Sequence, residues 1–437
     1  MTSLPAFDVS HRYSSRGRKI VTEGEVTRVM LSTALGKDKV ALVVLVTCLF
    51  TTSLGVGLIV PLLPVYAESL GASGLWIGLI FGANPFIRAT LMLVFGSLSD
   101  RRGRKRFITL GLMGYFCVSL SFVLASRAIH LLLLRLLQGA FSAMVTPVAR
   151  AYAGDLSPPG REGAVMGLVN FGFFAGFGAG PVLGGILADQ LGMNAPFYGM
   201  AILSILSAAT VHMLVPERPP RSTGQVEETR SLNAPTMLRN DVVRGLIAVR
   251  GLVALGRGIF STLLPLLGRL TLGLTGTEVG LVVTTRALLS SLLQPACGAL
   301  ADRHNRKWLV TGGIVLAPLA LYAVPFAREL GQLMAAAAML GISAGVSVPA
   351  ATAIAVDQGR QYGMGSVMGL IGMCQSFGMA GGAVIGGALR DLVGVGGAFQ
   401  AASILSVMGI VLFLWHTRHY HFDPRGSSAR NLARKLQ

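Results

Sequence analysis

Five arginines lie inside long apolar stretches of this chain: Arg88, Arg135, Arg250, Arg257 and Arg286. If the stretches span a membrane, each charge costs about 3 kcal/mol near the bilayer centre, so each side chain must face the bundle interior or a water-filled cavity. No carboxylate lies well inside any of these stretches. Carbonyls, water or an anion must therefore meet the charges, and arginine is well shaped to grip a carboxylate or phosphate.

These arginines predict a cavity that accepts anions. Arg250 and Arg257 are seven residues apart and share one helix face, roughly 10 Å apart along the axis. Arg257 is nearest the middle of its stretch, so we expect it to contact substrate, together with Arg250, Arg88, Arg286, Asn84 and Gln375. The alternative is that the guanidinium groups brace neighbouring helices through carbonyls or extend to the membrane surface.

The elements that must position these side chains are membrane helices. The chain has 437 residues, of which only 13% are charged, against about 25% in a soluble protein. Apolar stretches of about 20 residues are long enough to cross a bilayer, and only helices satisfy the backbone there. The sequence predicts an all-α membrane protein with twelve transmembrane helices, at 40–67, 76–98, 107–126, 130–153, 163–188, 196–215, 243–268, 278–300, 308–327, 331–355, 364–389 and 397–417.

The formal net charge of +18 indicates topology, not nucleic-acid binding, because no basic stripe alternates with aromatic residues. Lysine and arginine crowd the two tails and alternate loops, and such loops stay in the cytoplasm. We therefore expect a cytoplasmic tail at 1–39, a six-helix bundle at 40–215, a cytoplasmic linker at 216–242, a second bundle at 243–418 and a tail at 419–437. The four cysteines fall inside spans and read as buried hydrophobic residues, and we expect no metal, no cofactor and no enzyme activity.

The chain repeats itself. Gly96 to Lys105 returns as Gly298 to Lys307, a shift of 202 residues, and the same shift carries Asp155 onto Asp357 and Asp189 onto Asp391. Internal repeats in an apolar chain are typical of transporters. The shift finds no basic partner for any of the five arginines, so the two halves differ most at these positions.

On these motifs the chain resembles the major facilitator superfamily, and most closely its drug:proton antiporters. Gly96 to Lys105 matches the family pattern G-x-L-x-D-R-x-G-R-K, and Asn305 replaces Gly103 in the second copy as a residue that tolerates a left-handed backbone. The resemblance implies a gate in which the Asp caps a helix of the other half and the Arg pairs with an acid. In this sequence the gating residues are Gly96, Asp100, Arg104, Asp155, Asp302, Arg306 and Asp357.

Two further motifs carry the resemblance. Arg135 to Gly139 matches R-x-x-Q-G, which implies that Arg135 and Gln138 take part in proton coupling. The fifth span fits the antiporter glycine pattern, with Gly167, Gly176, Gly180, Pro181, Gly184 and Gly185. Glycines at this spacing let helix backbones approach closely.

The resemblance implies a monomeric secondary transporter of the bacterial-type inner membrane, which exports a small organic molecule by alternating access in exchange for protons. The arginines favour anionic or neutral amphiphilic cargo, because no acid lies in the first span and Glu68 stands only at its edge. The proton would be carried by the cargo or by Glu68 near Arg135. The alternatives are uptake or exchange of an organic anion, and a non-transporting sensor, scaffold or lipid translocase with this fold.

Overall fold

A computed structural model describes residues 23–157, 162–217, 237–362 and 364–418 of the chain. All the regular secondary structure in these ranges is helical. The helices are α1 (Glu23–Ile59), α2 (Leu63–Ser69), α3 (Gly74–Arg102), α4 (Arg104–Val123), α5 (Ala128–Asp155), α6 (Glu162–Leu191), α7 (Ala195–Leu214), α8 (Asp241–Leu266), α9 (Gly276–Arg303), α10 (Arg306–Ala323), α11 (Leu330–Tyr362) and α12 (Met364–His416). A π-helical turn, Leu267–Thr271, continues α8, and a 3-10 turn, Val324–Phe326, follows α10.

Eleven helical segments of the described chain are long and apolar enough to cross a membrane. The last of them, Val367–His416, holds 50 residues, far more than the roughly 20 that a bilayer needs. Gly394 breaks it with a left-handed φ of 77°. The predicted tails and linker fall mostly outside the described residues, although α1 already begins at Glu23.

The break at Gly394 is a reversal of chain direction, and the contacts of α8 demonstrate it. Residues of the arm 364–393 approach α8 in rising order: Gly378, Gly382 and Gly386 lie against Gly251, Leu255 and Ile259. Residues of the arm 395–416 and the residue after it approach α8 in falling order: Thr417, Gly409 and Ser406 lie against Gly245, Leu252 and Gly256. The two arms are therefore antiparallel, and α12 forms a hairpin of two spans, as the sequence predicts.

Glycine contacts also correct the register of the repeat. In the first half, Gly176 and Gly184 of α6 pack on Phe50 and Leu58 of α1. Their equivalents 202 residues later pack on Gly251 and Ile259 of α8, which is an offset of 201 residues from α1 (251 − 50 and 259 − 58). The sequence offset of 202 was wrong by one residue for this helix pair. Arg257 therefore corresponds to Val56 instead of Gly55.

The repeated loop differs between its two copies. Gly103 adopts a left-handed φ of 98° between α3 and α4, a conformation that glycine adopts without strain. Asn305 has a φ of −63°, and its side chain accepts a hydrogen bond from the Lys307 amide. The prediction that Asn305 replaces a left-handed glycine was wrong, because Asn305 caps the start of α10 instead.

The two halves pack most closely at one end. We call the end with the loops 101–106 and 303–307 the basic face, and the end with Asp189 and Asp391 the opposite face. Near the opposite face the backbones of the halves nearly touch. A Cβ at Gly78 would lie 2.4 Å from the Ala383 oxygen, and one at Gly185 would lie 2.2 Å from the Gly276 oxygen.

Glycines closer to the basic face have no such neighbours. A Cβ at Gly96, Gly167, Gly369 or Gly372 would meet no atom within 4 Å. The ring contact between Phe86 and Phe377, with centroids 5.6 Å apart, joins the halves midway along α3 and midway along the first arm of α12, 364–393. The structure is therefore closed at the opposite face, and the halves part toward the basic face.

Candidate substrate cavity and gates

A cavity of about 250 Å³ lies between the two halves. Both halves contribute polar residues to its wall, and the aromatic residues come from the first half. The first half provides Asn84, Arg88, Arg135, Phe173, Phe174 and Phe177, and the second provides Arg257, Ser261, Arg286, Gln375 and Met379. Six predicted site residues thus meet here: Arg88, Arg135, Arg257, Arg286, Asn84 and Gln375.

Three of the four cavity arginines carry unpaired guanidinium groups. Within the described ranges, the structure gives Arg88, Arg257 and Arg286 no hydrogen bond and no salt bridge to another residue. The Nε atoms of Arg257 and Arg286 are buried and without a hydrogen-bond partner among these residues. Arg286 lies over the ring of Phe260, with 5.5 Å between its Cζ and the ring centroid. The cavity therefore presents positive charge that no described protein group neutralises.

Arg135, the fourth cavity arginine, is held by a hydrogen-bond network. It donates to Gln138 Oε1 at 2.6 Å and to the carbonyls of Ile80 and Phe81 at 3.3 Å each. Asn84 donates to the same Gln138 oxygen at 3.4 Å. Because Arg135 is only 4% exposed and Gln138 is fully buried, the R-x-x-Q pair joins α5 to α3 at the edge of the cavity. Gln138 supports the wall without lining it.

Two predicted site residues lie away from the cavity. Arg250 donates to Thr352 Oγ1 at 2.6 Å and to the Val348 carbonyl at 3.4 Å. Arg250 lies two helical turns from Arg257 along α8. At this distance its side chain does not reach the cavity and instead binds α11. Glu68 forms an ion pair with Arg390 of α12, so it is not the partner of Arg135.

Two features of this region were not predicted from the sequence: an aromatic part of the cavity wall and an arginine that packs on it. Phe173, Phe174 and Phe177 of α6 form an aromatic side, because α6 directs this part of its surface between the halves. Arg150 lies over the Phe173 ring, with 4.6 Å between its Cζ and the ring centroid, and its Nε atom has no partner in the described chain. Arg150 stands three residues from the end of its predicted span, so its position indicated a boundary residue.

At two cavity positions related by the repeat, one half carries an arginine and the other half carries a neutral polar residue. Asn84 corresponds to Arg286, and Arg88 corresponds to Ser290, each by the shift of 202. All four line the cavity. Each half thus contributes one arginine from the same pair of helix positions, which spreads the charge across the pseudo-symmetry axis.

Among the described residues, the ion pairs of the predicted gate at the basic face join partners within one half. Arg104 binds Asp100 at 2.8 Å and Asp155 at 3.1 Å, and Arg306 forms the equivalent ion pair with Asp357. The Asp100 side chain is 49% exposed. Within the described ranges it makes no hydrogen bond to the second half in this state, which agrees with halves that part toward the basic face. The side chain of Asp302 lies outside the described part of the chain.

At the opposite face, two carboxylates join the halves. Asp189 at the end of α6 accepts hydrogen bonds from the amides of Gly276 and Thr277 at 2.9 and 2.7 Å, and from the Thr277 hydroxyl at 2.7 Å. Asp391 accepts from the amides of Gly74 and Leu75 at 2.7 and 2.9 Å. We call these two contacts the carboxylate locks. Each places a negative charge at the N-terminus of a helix in the other half, which the helix dipole stabilises.

The antiporter-like glycines serve packing. Gly176, Gly180 and Gly184 bring α6 against α1, and a Cβ at Gly184 would lie 2.0 Å from the Leu58 oxygen. Gly185 instead faces Gly276 across the two halves, beside the lock of Asp189. Pro181 lies inside α6, and its carbonyl would lie 2.2 Å from a Cβ at Gly280. A Cβ at Gly167 would meet no atom of the described residues within 4 Å.

Comparison with known proteins agrees with this architecture. The chain matches the family model of the Major Facilitator Superfamily over residues 45–275 and 246–436. It is 32% identical over 370 residues to an MFS-type transporter of Methanocaldococcus jannaschii, covering 84% of this chain and 95% of the relative. It is 24% identical over 389 residues to the multidrug resistance protein MdtG of Escherichia fergusonii, covering 86% and 94%.

Solved structures share the fold at low identity. A bacterial homologue of the human lysosomal transporter Spinster, in an inward-facing and unoccupied conformation, has a TM-score of 0.75 and 16% identity, with 89% of this chain and 99% of that one covered. The human organic anion transporter MFSD10 has a TM-score of 0.59 and 19% identity, with 86% and 99% covered. By its repeat, its helices and its family match, this chain is a membrane transporter protein of the major facilitator superfamily.

Proposed function

We propose that this protein exports small organic anions, or neutral amphiphiles with a polar head, by alternating access of its central cavity. The observation that carries the proposal is the set of three cavity arginines, Arg88, Arg257 and Arg286, that have no acceptor among the described residues. A buried charge without a partner is costly. An anionic cargo would supply the missing acceptors, and arginine offers it two parallel hydrogen bonds.

The remaining wall favours a cargo with an apolar body. Phe173, Phe174 and Phe177 line the cavity on the α6 side, and their rings offer apolar area for an aromatic or aliphatic group. A volume of about 250 Å³ lies near the lower end of ligand pockets. The cargo class is therefore a compact molecule with an acidic group at one end.

The proposed function includes the orientation of the protein in the membrane and the direction of transport. Short loops rich in lysine and arginine stay in the cytoplasm, so we assign the basic face to the cytoplasm and describe the present state as inward-facing. The relatives named for multidrug resistance support export. Among fold neighbours, MFSD10 is an organic anion transporter, an example of such cargo in this fold. We assign the protein to a bacterial-type inner membrane.

Proton coupling is part of the proposal through Arg135 and Gln138. The ion pair between Glu68 and Arg390 leaves that carboxylate engaged at the opposite face. Arg135 and Asn84 line the cavity, and both donate to Gln138, so this network links α5 to α3 at the cavity wall.

Flux assays in proteoliposomes test the proposal. Purified protein is reconstituted, a proton gradient is imposed, and entry of a panel of labelled organic anions is compared with entry of matched cations. We expect flux for anions. Arg257→Gln should lower it at least about tenfold, the loss expected for a hydrogen bond to a charged group.

Arg250→Gln is the matched control, because Arg250 is also an arginine within α8 but braces α11 away from the cavity. It should transport at the wild-type rate. Flux of cations alone, or equal losses in the two variants, would contradict the anion proposal. A well-folded protein that moves no solute would contradict transport itself.

A further inference from the structure

A second, smaller cavity lies behind the central one. Its volume is about 20 Å³, enough for one particle of the size of a water molecule. Arg257 and Arg286 line both cavities and so form the wall between them. The remaining lining is aliphatic or aromatic, apart from two serines, Ser343 and Ser406.

The small cavity is rich in donors and poor in acceptors. The guanidinium-bearing side chains of Arg257 and Arg286 line it, and the structure gives them no hydrogen bond or salt bridge among the described residues. No carboxylate lines the cavity in the part of the chain that the structure describes. A water molecule would accept from the two guanidinium groups, but its own two hydrogens would find few acceptors.

The two serines differ in what they offer. The Ser406 hydroxyl already donates to the Ala402 carbonyl at 2.8 Å. The structure gives the Ser343 hydroxyl no such bond within the described ranges, and Ser343 is only 2% exposed. Ser343 can therefore donate a hydrogen bond into the cavity, whereas Ser406 cannot do so without breaking its helical bond.

We propose that the small cavity binds one monoatomic anion, of which chloride is the abundant example. Two guanidinium groups and the Ser343 hydroxyl donate to it, and the Phe260 ring and the aliphatic residues exclude water. The volume is less than a tenth of that of the central cavity, so an organic anion with an apolar body does not fit, which separates this site from the cargo site. The anion would hold Arg257 and Arg286 in position as the wall of the central cavity.

Bromide is the probe for location, because it is a monoatomic anion with a strong anomalous signal. Crystals of the full chain grown with bromide should show one anomalous peak among Arg257, Arg286 and Ser343. Crystals of Ser406→Ala should keep the peak. Absence of a peak at this position in well-diffracting wild-type crystals would overturn the proposal.

Affinity is measured from melting temperature, titrating chloride against gluconate at constant ionic strength without organic cargo. An anion that binds only the folded protein raises the melting temperature, and above its Kd the rise follows the logarithm of the anion concentration. We expect Ser343→Ala to weaken chloride binding about tenfold, as for loss of one hydrogen bond to a charged group. Ser406→Ala and Arg88→Gln, which leave the small cavity's donors intact, should retain the wild-type response.

Equal chloride responses in Ser343→Ala, Arg286→Gln and the wild type would overturn the proposal. If Arg286→Gln fails to fold, Ser343→Ala still decides, because it removes a single hydroxyl. Neither measurement uses transport or an organic ligand. Failure of the chloride site and failure of the proposed function are therefore distinguishable.

Discussion

The carboxylate locks make a quantitative prediction about the balance between the two states of the transporter. In Asp189→Ala the side chain loses three hydrogen bonds to the start of α9, at 2.7 to 2.9 Å. These bonds exist only when the opposite face is closed. The substitution should therefore raise the population that is open at the opposite face and leave the packing within each half unchanged.

The magnitude follows from the bonds and their exposure. Hydrogen bonds to a charged group contribute about 1.5–3 kcal/mol each, but Asp189 is exposed, so solvent reduces each contribution strongly. We take about 2 kcal/mol for all three bonds together. That free energy corresponds to a shift of about 30-fold in the ratio of the two states.

Spin-label distances measure the shift. After replacement of the four native cysteines, labels are placed at Leu191 and Leu270, which are 72% and 58% exposed and stand at the opposite face on different halves. The wild type should give a dominant short distance. Asp189→Ala should add a longer-distance population.

Glu278→Ala is the matched control. Glu278 caps the same helix start, accepting from the Thr275 amide at 2.8 Å, but it lies in the same half as that helix. Its loss should lower stability without changing the distance distribution. Distributions for Asp189→Ala that superimpose on the wild type, or an equal shift in Glu278→Ala, would refute the reasoning.

Three other outcomes are expected. Gly78→Ala places a Cβ 2.4 Å from the Ala383 oxygen, so the same spin labels should report opening at the opposite face. Gly372→Ala is the control, because its added Cβ meets no atom of the described residues within 4 Å. It should give the wild-type distances. Arg250→Gln should lower the free energy of unfolding by about 1–2 kcal/mol, because it loses the hydrogen bond to Thr352. Thermal denaturation measures this change, and a variant as stable as the wild type would contradict the bracing role. Gln138→Ala leaves Arg135 with two long hydrogen bonds to carbonyl groups, so proton-driven flux should fall at least about tenfold. Unchanged flux would show that this network takes no part in proton coupling.

Much of the architecture could be predicted from sequence because the bilayer constrains it strongly. Length and apolarity define the spans, and the repeat relates the halves. The register of α1 and α8 could not be fixed this way, since neither helix carries the repeated motif. Only the contacts of Gly176 and its equivalent Gly378 with the facing helix set the offset of 201.

The candidate site could likewise be predicted from the sequence only in part. The cost of a buried charge predicted that arginines matter, and four of the five line the cavity. The distance of two turns between Arg250 and Arg257 follows from helix geometry, but which of them reaches the cavity depends on the tilt of α8. The locks of Asp189 and Asp391 escaped prediction because a carboxylate at the end of a span resembles any solvated helix end until its partner in the other half is known.

The turn at Gly394 has a consequence for how the protein is made. It lies in a helical segment of 50 residues, Val367–His416, whose apolar part reaches a mean hydropathy of 2.0, so a tight turn joins the last two spans in place of a long polar loop. Such a pair enters a membrane as one helical hairpin. Arg390 and Asp391 stand just before the turn, and with the basic face in the cytoplasm this hairpin carries both charges across the bilayer. The contacts of Asp391 with α3 and of Arg390 with Glu68 can form only after this hairpin has inserted, so the part of the closure that α12 contributes must follow insertion of the first half.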